Sequence, residues 1–156
     1  MSALQRRQRI SVLGSTGSIG RNTLDVLARH PDRFEVYALG AATQVDLMLQ
    51  QCAQFRPRFA AMASEPHGRA LQEKIKANGL PTQVLFAQGA MEDIASSDEV
   101  DMVMAAIVGA AGLGPCLAAA RSGKRLLLAN KEALVVGGEF FLRTVEQGGA
   151  RLLPID

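Results

Sequence analysis

The sequence predicts an α/β fold in which helices cover both faces of a doubly wound, mostly parallel sheet. Short apolar segments that favour strands alternate with helical patterns along the whole chain, as right-handed parallel crossovers require. A glycine-rich turn follows the first of these segments, and a second glycine-rich loop, GAAGLG at 109–114, follows a near-continuous apolar run. The 156 residues suffice for one domain with a sizeable core.

The first predicted strand, 10–13, leads into the segment GSTGSIG at 14–20. Its glycines are spaced G-x-x-G-x-x-G rather than in the commoner G-x-G-x-x-G pattern. The first glycine allows a sharp turn, the second lets backbone approach a pyrophosphate, and the third permits close packing of helix and strand. Backbone N–H groups around Ser18 and Ile19 would then face the phosphates. The segment therefore predicts a Rossmann-like, dinucleotide-binding turn, and the domain is expected to span 10–156.

Later elements follow the same alternation, and proline or glycine marks most helix ends. His30-Pro31 ends the first helix, and FEVYAL at 34–39 is rich in residues that favour strands. The further predicted strands are 34–39, 59–62, 83–86, 100–108, 125–128 and 151–155. Five of the predicted helices are 18–29, 46–55, 67–78, 91–95 and 139–147. A sixth has Pro115 at its first position and ends at 122–123.

Composition and charge exclude several classes of function. The net charge of +2, a single tyrosine and the absence of tryptophan give no basis for nucleic-acid binding. No apolar run is long enough for a membrane helix, and the basic segment 1–9 is interpreted as a solubilising tail. Cys52 and Cys116 are far apart and are expected to be reduced, buried thiols of a cytoplasmic protein. His30 and His67 are isolated, which argues against a histidine metal site.

Polar side chains gather where the predicted strands end, and ligands bind at that edge of a parallel sheet. The loops GSTGSIG, GAATQ, IVGAAG and ANKE all lie there. Glycine loops also form plain turns, so each loop alone has a structural explanation, but four on one edge favour a binding site. The candidate side chains are Ser15, Thr16, Ser18, Thr43, Gln44, Asn130, Lys131, Glu132 and Asp156.

The loop after the second strand favours NADPH over NADH. A protein that binds NAD usually has an acidic residue there to bind the ribose, whereas residues 40–44 contain no acid. A carboxylate would repel a 2′-phosphate, and its absence permits NADPH. Neither lysine nor arginine is present in the loop, so the available donors are Thr43, Gln44, Ser15 and Arg21.

Lys131 and Glu132 form either an exposed, solvated pair or part of the site. A lysine at this edge could bind substrate oxygens or stabilise developing negative charge. Asp156 could ligate a divalent ion, but one carboxylate does not make a metal site.

Four longer motifs carry a resemblance to a known family: LGSTGSIG with TLDV after it, MAAIVGAAGL, LLLANKEALV and LLPID. From Ile10 to Asp156 the sequence resembles 1-deoxy-D-xylulose 5-phosphate reductoisomerases. The resemblance implies conversion of 1-deoxy-D-xylulose 5-phosphate, a small-molecule substrate, to 2-C-methyl-D-erythritol 4-phosphate in non-mevalonate isoprenoid synthesis. It also implies NADPH and a divalent cation (Mn²⁺, Mg²⁺ or Co²⁺) as cofactors.

The resemblance assigns a role to each matching position. It implies that Asn130 and Glu132 contact the cofactor, Lys131 binds the substrate, and Asp156 is the first metal-binding carboxylate. Some members of the family have Gly-Lys-Asn in the adenosine loop, where this chain has Ala-Thr-Gln. The cofactor phosphates would be bound by Thr16, Gly17, Ser18 and Ile19, and the adenosine end by Ala42, Thr43 and Gln44.

In the family, Ser-Glu-His-Asn, a catalytic domain, a mobile lid and a C-terminal helical domain follow the metal aspartate. We therefore expect this chain to be an isolated N-terminal cofactor domain that is inactive alone. The full-length enzyme is expected to be a homodimer and this chain mainly a monomer. Two alternatives remain open. One is a reductase of the semialdehyde-dehydrogenase type, which needs a catalytic cysteine near a histidine. The other is a non-catalytic, nucleotide-sensing module.

Overall fold

The computed structural model describes residues 6–129 and 132–155, which form a seven-stranded, all-parallel sheet covered by helices on both faces. This confirms the predicted α/β, doubly wound class. The strands are β1 (Gln8–Leu13), β2 (Phe34–Ala41), β3 (Phe59–Met62), β4 (Gln83–Leu85), β5 (Met102–Ala105), β6 (Arg125–Leu128) and β7 (Arg151–Pro154). The helices are α1 (Ser18–Ala28), α2 (Val45–Phe55), α3 (Glu65–Ala77), α4 (Ala90–Ser96), α5 (Leu113–Arg121) and α6 (Glu132–Gly148).

Strand β1 lies at the centre of the sheet, whose order is β4-β3-β2-β1-β5-β6-β7. It pairs in parallel with β2 on one side and with β5 on the other. The chain moves outward from β1 to β4, returns beside β1 as β5, and then moves outward in the other direction to β7. Doubly wound sheets bind ligands at such a reversal, outside the carboxyl ends of the strands, so the topology places the site beside β1.

The two faces of the sheet bury separate apolar cores. One core packs Ile10 and Val12 of β1 against side chains of α1, α2 and α3. The other packs Leu13 against side chains of α4, α5 and α6, including the fully buried Phe141. Successive residues of β1 thus enter opposite cores, as the two-residue period of a strand requires. Packing on both faces therefore fixes the central strand, and with it the position at which the following turn begins.

The arginines that precede Ile10 are tied to the body of the domain. Strand β1 begins at Gln8, and the Arg6 guanidinium donates two hydrogen bonds, of 2.8 and 3.1 Å, to the Asp101 carboxylate. The Arg9 backbone N–H donates to the same carboxylate at 2.8 Å. Partial burial raises the pKa of Asp101, but the hydrogen bonds from Arg6 and Arg9 outweigh it, so this pKa lies below its usual value.

Most predicted element bounds agree with the structure to within two residues, but β5 is shorter than its apolar run. It spans Met102–Ala105, whereas the sequence suggests 100–108. All four residues of β5 pair with the four residues of β6, from Arg125 to Leu128. The chain leaves the sheet after Ala105, and Val108 is 84% exposed. Pro115 is the third residue of α5 rather than the first. Proline is tolerated there because N–H groups in a first turn have no intrahelical partner.

Helix α6 begins seven residues before the predicted start at Glu139. It runs over Glu132–Gly148 and is interrupted at Gly138, where φ is 52° and ψ is −138°. The Gly137-Gly138 pair suggests that the helix starts only after it, but Gly138 breaks a helix that has already formed. The last residue of the predicted loop ANKE, Glu132, is thus the first residue of α6.

Within the described residues, no helix is long and apolar enough to cross a membrane. The same part of the chain contains no group of three or more His, Cys, Asp or Glu side chains arranged to hold a metal ion.

Candidate functional site

Close backbone contacts at Gly14 and Gly20 build the turn between β1 and α1. Gly14 has a φ of +83°, and a Cβ on it would overlap the carbonyl oxygen of Ala106. A Cβ on Gly20 would overlap the carbonyl oxygen of Gly14 and lie 2.7 Å from the Cα of Ser15. The protein itself therefore requires glycine at both positions, one for the sharp turn and one for the close approach of α1, as the sequence predicts.

Gly17, the residue that caps the N-terminus of α1, is different. Its backbone has an ordinary extended conformation (φ −79°, ψ 175°), and a Cβ on it would come no closer than 3.5 Å to the Gly14 carbonyl oxygen. No side chain caps this helix, and its first turn contains no acidic residue. N–H groups in a first turn lack intrahelical acceptors and carry the positive end of the helix dipole. The exposed space outside Gly17 therefore suits an anion such as a phosphate.

Hydrogen bonds join this turn to the end of β2. The backbone N–H groups of Gly14 and Ser15 both donate to the carbonyl oxygen of Gly40, at 2.8 and 2.9 Å. Residues 42–44 follow directly after β2 and are exposed. The structure therefore brings the two predicted cofactor segments, 16–19 and 42–44, to the same edge of two adjacent strands.

Two donors expected beside a 2′-phosphate lie in different surroundings. Ser15 is fully buried, and its hydroxyl faces the sulfur of Met48 at 3.9 Å, so it is not exposed to a ligand. The expectation that Ser15 is an available donor is therefore wrong, because α2 covers the residue. Arg21, on α1, is exposed and its Nε donates a long hydrogen bond of 3.4 Å to the Gly17 carbonyl oxygen. Its guanidinium thus places a positive charge beside the turn.

The loop that follows β5 lies close to the start of α6 at this edge. Gly109 has a φ of +79°, and a Cβ on it would lie 3.8 Å from Oε2 of Glu132, the first residue of α6. The structure therefore brings the Glu132 carboxylate next to the second glycine-rich loop. Asn130, Lys131 and Asp156 lie outside the described residues, so their suggested roles stay predictions.

The two cysteines lack the properties of a catalytic nucleophile. Both are buried, and desolvation raises the pKa of Cys52 and of Cys116 to about 11. A nucleophilic cysteine needs a lowered pKa and access to substrate. The semialdehyde-dehydrogenase type of reductase therefore finds no support in these thiols.

Sequence reasoning missed one residue that contacts the turn. Gln51 of α2 is buried, and its Nε2 donates a hydrogen bond of 2.9 Å to the carbonyl oxygen of Ser15. Gln51 lies on the same face of α2 as the buried Met48 and Cys52. The helical pattern predicts an apolar residue there, so a glutamine at this position was the signal that could have identified the contact.

Residues 10–138 match the sequence profile of the 1-deoxy-D-xylulose 5-phosphate reductoisomerase family. The curated 1-deoxy-D-xylulose 5-phosphate reductoisomerase of Aromatoleum aromaticum is 57% identical over 151 residues, which are 97% of this chain and 38% of that protein. A crystal structure of DOX-P reductoisomerase in complex with magnesium aligns with a TM-score of 0.93 and 43% identity, over 97% of this chain and 38% of the other. The enzyme from Zymomonas mobilis, in complex with NADPH, aligns with a TM-score of 0.91 and 36% identity, over 97% and 39%.

This chain thus spans a little over a third of the length of the relatives that it matches. The matched residues include the glycine turn, the loop after β2, and the loops after β5 and β6. The chain belongs to the 1-deoxy-D-xylulose 5-phosphate reductoisomerase family.

Proposed function

We propose that this chain binds NADPH as the cofactor domain of a 1-deoxy-D-xylulose 5-phosphate reductoisomerase. The complete enzyme would isomerise and reduce 1-deoxy-D-xylulose 5-phosphate to 2-C-methyl-D-erythritol 4-phosphate. The observation that carries the proposal is the exposed, uncapped N-terminus of α1 at Gly17, where neither a side chain nor an acidic residue competes with a phosphate. Two related crystal structures contain NADPH, which supports the choice of cofactor.

In this proposal the pyrophosphate lies against Thr16, Gly17, Ser18 and Ile19. Three of these residues are exposed, and Thr16 is half-buried. The N–H groups of the first turn of α1 donate to the phosphate oxygens, and the missing Cβ at Gly17 lets the backbone approach them. The Arg21 guanidinium adds a positive charge close to the same oxygens.

The adenosine end lies against Ala42, Thr43 and Gln44. The exposed side chains of Thr43 and Gln44 donate hydrogen bonds to the 2′-phosphate. Since residues 40–44 contain no acid, nothing in this loop repels that phosphate. These donors are neutral, so we expect the preference for NADPH over NADH to be moderate, about tenfold.

The nicotinamide end lies toward the loops after β5 and β6, where Asn130 and Glu132 contact the cofactor and Lys131 binds the substrate. When bound, NADPH supplies the hydride for the reduction. Lys131 then holds substrate oxygens close to that edge and offsets the negative charge that develops on them. Asp156 contributes one carboxylate to a site for Mg²⁺, Mn²⁺ or Co²⁺, whose other ligands come from elsewhere in the complete enzyme.

Because one carboxylate does not hold a metal productively, we expect this chain alone to bind NADPH without forming product. We also expect it to be monomeric, and the complete enzyme to be a homodimer. Product formation by the chain with substrate, Mn²⁺ and NADPH would contradict the first expectation. A dimer seen by light scattering of the chain would contradict the second.

Calorimetric titration of the chain with NADPH and, separately, with NADH tests the proposal. Saturable binding of NADPH that is about tenfold tighter than binding of NADH is the expected result. The double variant Thr43→Ala, Gln44→Ala should lose this preference and keep its affinity for NADH. Gln72→Ala, an exposed glutamine of α3, is the matched control and should bind as the unaltered chain does. Failure of both cofactors to bind would refute cofactor binding by this chain.

A further inference from the structure

Gln51 lies behind the glycine turn, at a buried position of α2. It is 6% exposed, and its Nε2 donates a hydrogen bond of 2.9 Å to the carbonyl oxygen of Ser15. Its other amide atom, Oε1, is buried and accepts no hydrogen bond from any described residue. One half of the side chain therefore contacts the turn, and the other half is left without a donor.

The bond to Ser15 stabilises the fold and the unpaired Oε1 destabilises it, so stability alone does not favour a glutamine at this position. A buried carbonyl oxygen without a donor is destabilising, and natural proteins rarely retain one without a reason. Neighbouring positions on the same face of α2 hold Met48 and Cys52, both fully buried. An unbranched apolar side chain such as methionine would fit the same space without an unpaired oxygen. The bond to Ser15 is what the glutamine provides and an apolar residue cannot.

That bond fixes the orientation of one peptide group in the turn. In a trans peptide the carbonyl and the following N–H point in opposite directions. With the Ser15 carbonyl directed at Gln51, the Thr16 N–H of the same peptide group is directed away from α2. The hydrogen bonds among the described residues include none from this N–H. A buried side chain thus sets the direction of a backbone donor at the start of the segment 16–19.

We propose that Gln51 is a positioning residue: by holding the Ser15 carbonyl, it aims the Thr16 N–H outward as a donor to a phosphate of the bound dinucleotide. This inference rests on the proposed function, because it names a device that serves the same cofactor site. Gln51 does not touch the cofactor and acts only through the peptide group that it orients.

Gln51→Met tests this role, since methionine has a similar length and no donor. The matched control is Gln54→Met, one turn further along α2 at an exposed position. Two ligands are titrated: NADPH, which has the pyrophosphate, and adenosine 2′-monophosphate, which has only the adenosine end and the 2′-phosphate. We expect the dissociation constant of NADPH to rise about five- to tenfold in Gln51→Met. That of adenosine 2′-monophosphate should change by less than about twofold, because its contacts are independent of the turn.

The thermal midpoint separates positioning from a merely structural role. Loss of the bond to Ser15 and relief of the unpaired Oε1 act in opposite directions, so the midpoint of Gln51→Met should stay within about 3 °C of the original. Gln54→Met should leave both dissociation constants and the thermal midpoint unchanged. An equal loss of affinity for both ligands with a lower midpoint would overturn the proposal, and so would unchanged binding of NADPH.

An NMR comparison of the ligand-free chains tests the inference separately from cofactor binding. The Thr16 and Gly17 amide signals should shift or broaden in Gln51→Met and not in Gln54→Met. Should neither ligand bind the original chain, the proposed function would fail, while the amide signals would still show whether Gln51 holds the turn. Unchanged Thr16 and Gly17 signals would overturn the inference whatever the titrations give.

Discussion

Substitution of alanine at Gly17 and at Gly20 should separate a glycine needed by a ligand from a glycine needed by the fold. The two residues are three positions apart at the start of α1, and both receive the same added methyl group. At Gly17 the nearest atom to the new Cβ would lie 3.5 Å away, which is an ordinary contact. At Gly20 the new Cβ would overlap the Gly14 carbonyl oxygen and lie 2.8 Å from the Gly14 carbonyl carbon.

The structure predicts different losses of stability for the two substitutions. For Gly20→Ala, forcing a methyl group into closely packed backbone costs about 3 kcal/mol, and the better helix propensity of alanine offsets about 1 kcal/mol. The net loss of about 2 kcal/mol corresponds to a fall in the thermal midpoint of roughly 4–8 °C. For Gly17→Ala, the backbone angles are ordinary and there is space, so the free energy of unfolding should change by less than about 0.5 kcal/mol.

Thermal unfolding followed by circular dichroism and calorimetric titration with NADPH measure both consequences. Gly17→Ala should unfold like the original chain but bind NADPH at least tenfold more weakly, because its methyl group lies where the phosphate must approach the backbone. Gly20→Ala should be the less stable variant. Binding of NADPH by Gly17→Ala with the original affinity, or a loss of stability in Gly17→Ala as large as in Gly20→Ala, would refute a ligand role for Gly17.

Two further predictions concern charged groups at the opposite edge of the sheet. Asp101→Asn should lower the thermal midpoint at pH 7 by roughly 2–4 °C, because the Arg6 guanidinium loses its carboxylate partner. The folded protein lowers the pKa of Asp101, so this stabilisation is present above the unfolded-state pKa and is lost as pH falls through the folded-state value. The two midpoints should converge in acid, and a constant difference would contradict this. Lys124→Met should cost about 1–2 kcal/mol in urea unfolding, because the buried ammonium donates to the carbonyl oxygens of Ser97 and Val100, at 2.6 and 2.7 Å. No loss of stability would contradict this prediction.

The sequence predicts the order of elements well because each signal is local. The strands Phe59–Met62 and Arg125–Leu128 agree with the structure residue for residue, since each is a short apolar segment with turn or helix signals on both sides. The predicted start of α6 is wrong because two consecutive glycines resemble the N-terminal boundary of a helix. Only Gly138 leaves the helical conformation, and the residues from Glu132 onward are helical on both sides of it. A local pattern therefore indicates a break at the glycines but does not show whether the residues before the break are helical.

The placement of the candidate segments was predictable where it depends on consecutive residues, whereas the tertiary contacts around them were not. The glycine turn and the loop 42–44 follow directly from the strands that precede them. The burial of Ser15 and the contact of Gln51 with it both depend on how α2 packs over the turn, across 36 positions of sequence. A serine in a glycine-rich turn looks accessible. That expectation fails for Ser15 because the packing of α2 over the turn determines which polar groups reach the surface.

The three glycines of the turn show how a ligand site can be inferred from the protein alone. Gly14 and Gly20 are explained completely by backbone that would overlap a side chain. Gly17 has ordinary angles and an open surface, so the described residues give no reason for glycine there. Gln51 is comparable in the core, since its Oε1 lacks a donor among the described residues and its amide serves to bind the Ser15 carbonyl oxygen. Gln51 contacts the start of the turn and Gly17 caps α1 at its end, and both choices of residue are explained if the Thr16 N–H and the N–H groups of the first turn of α1 donate to a phosphate.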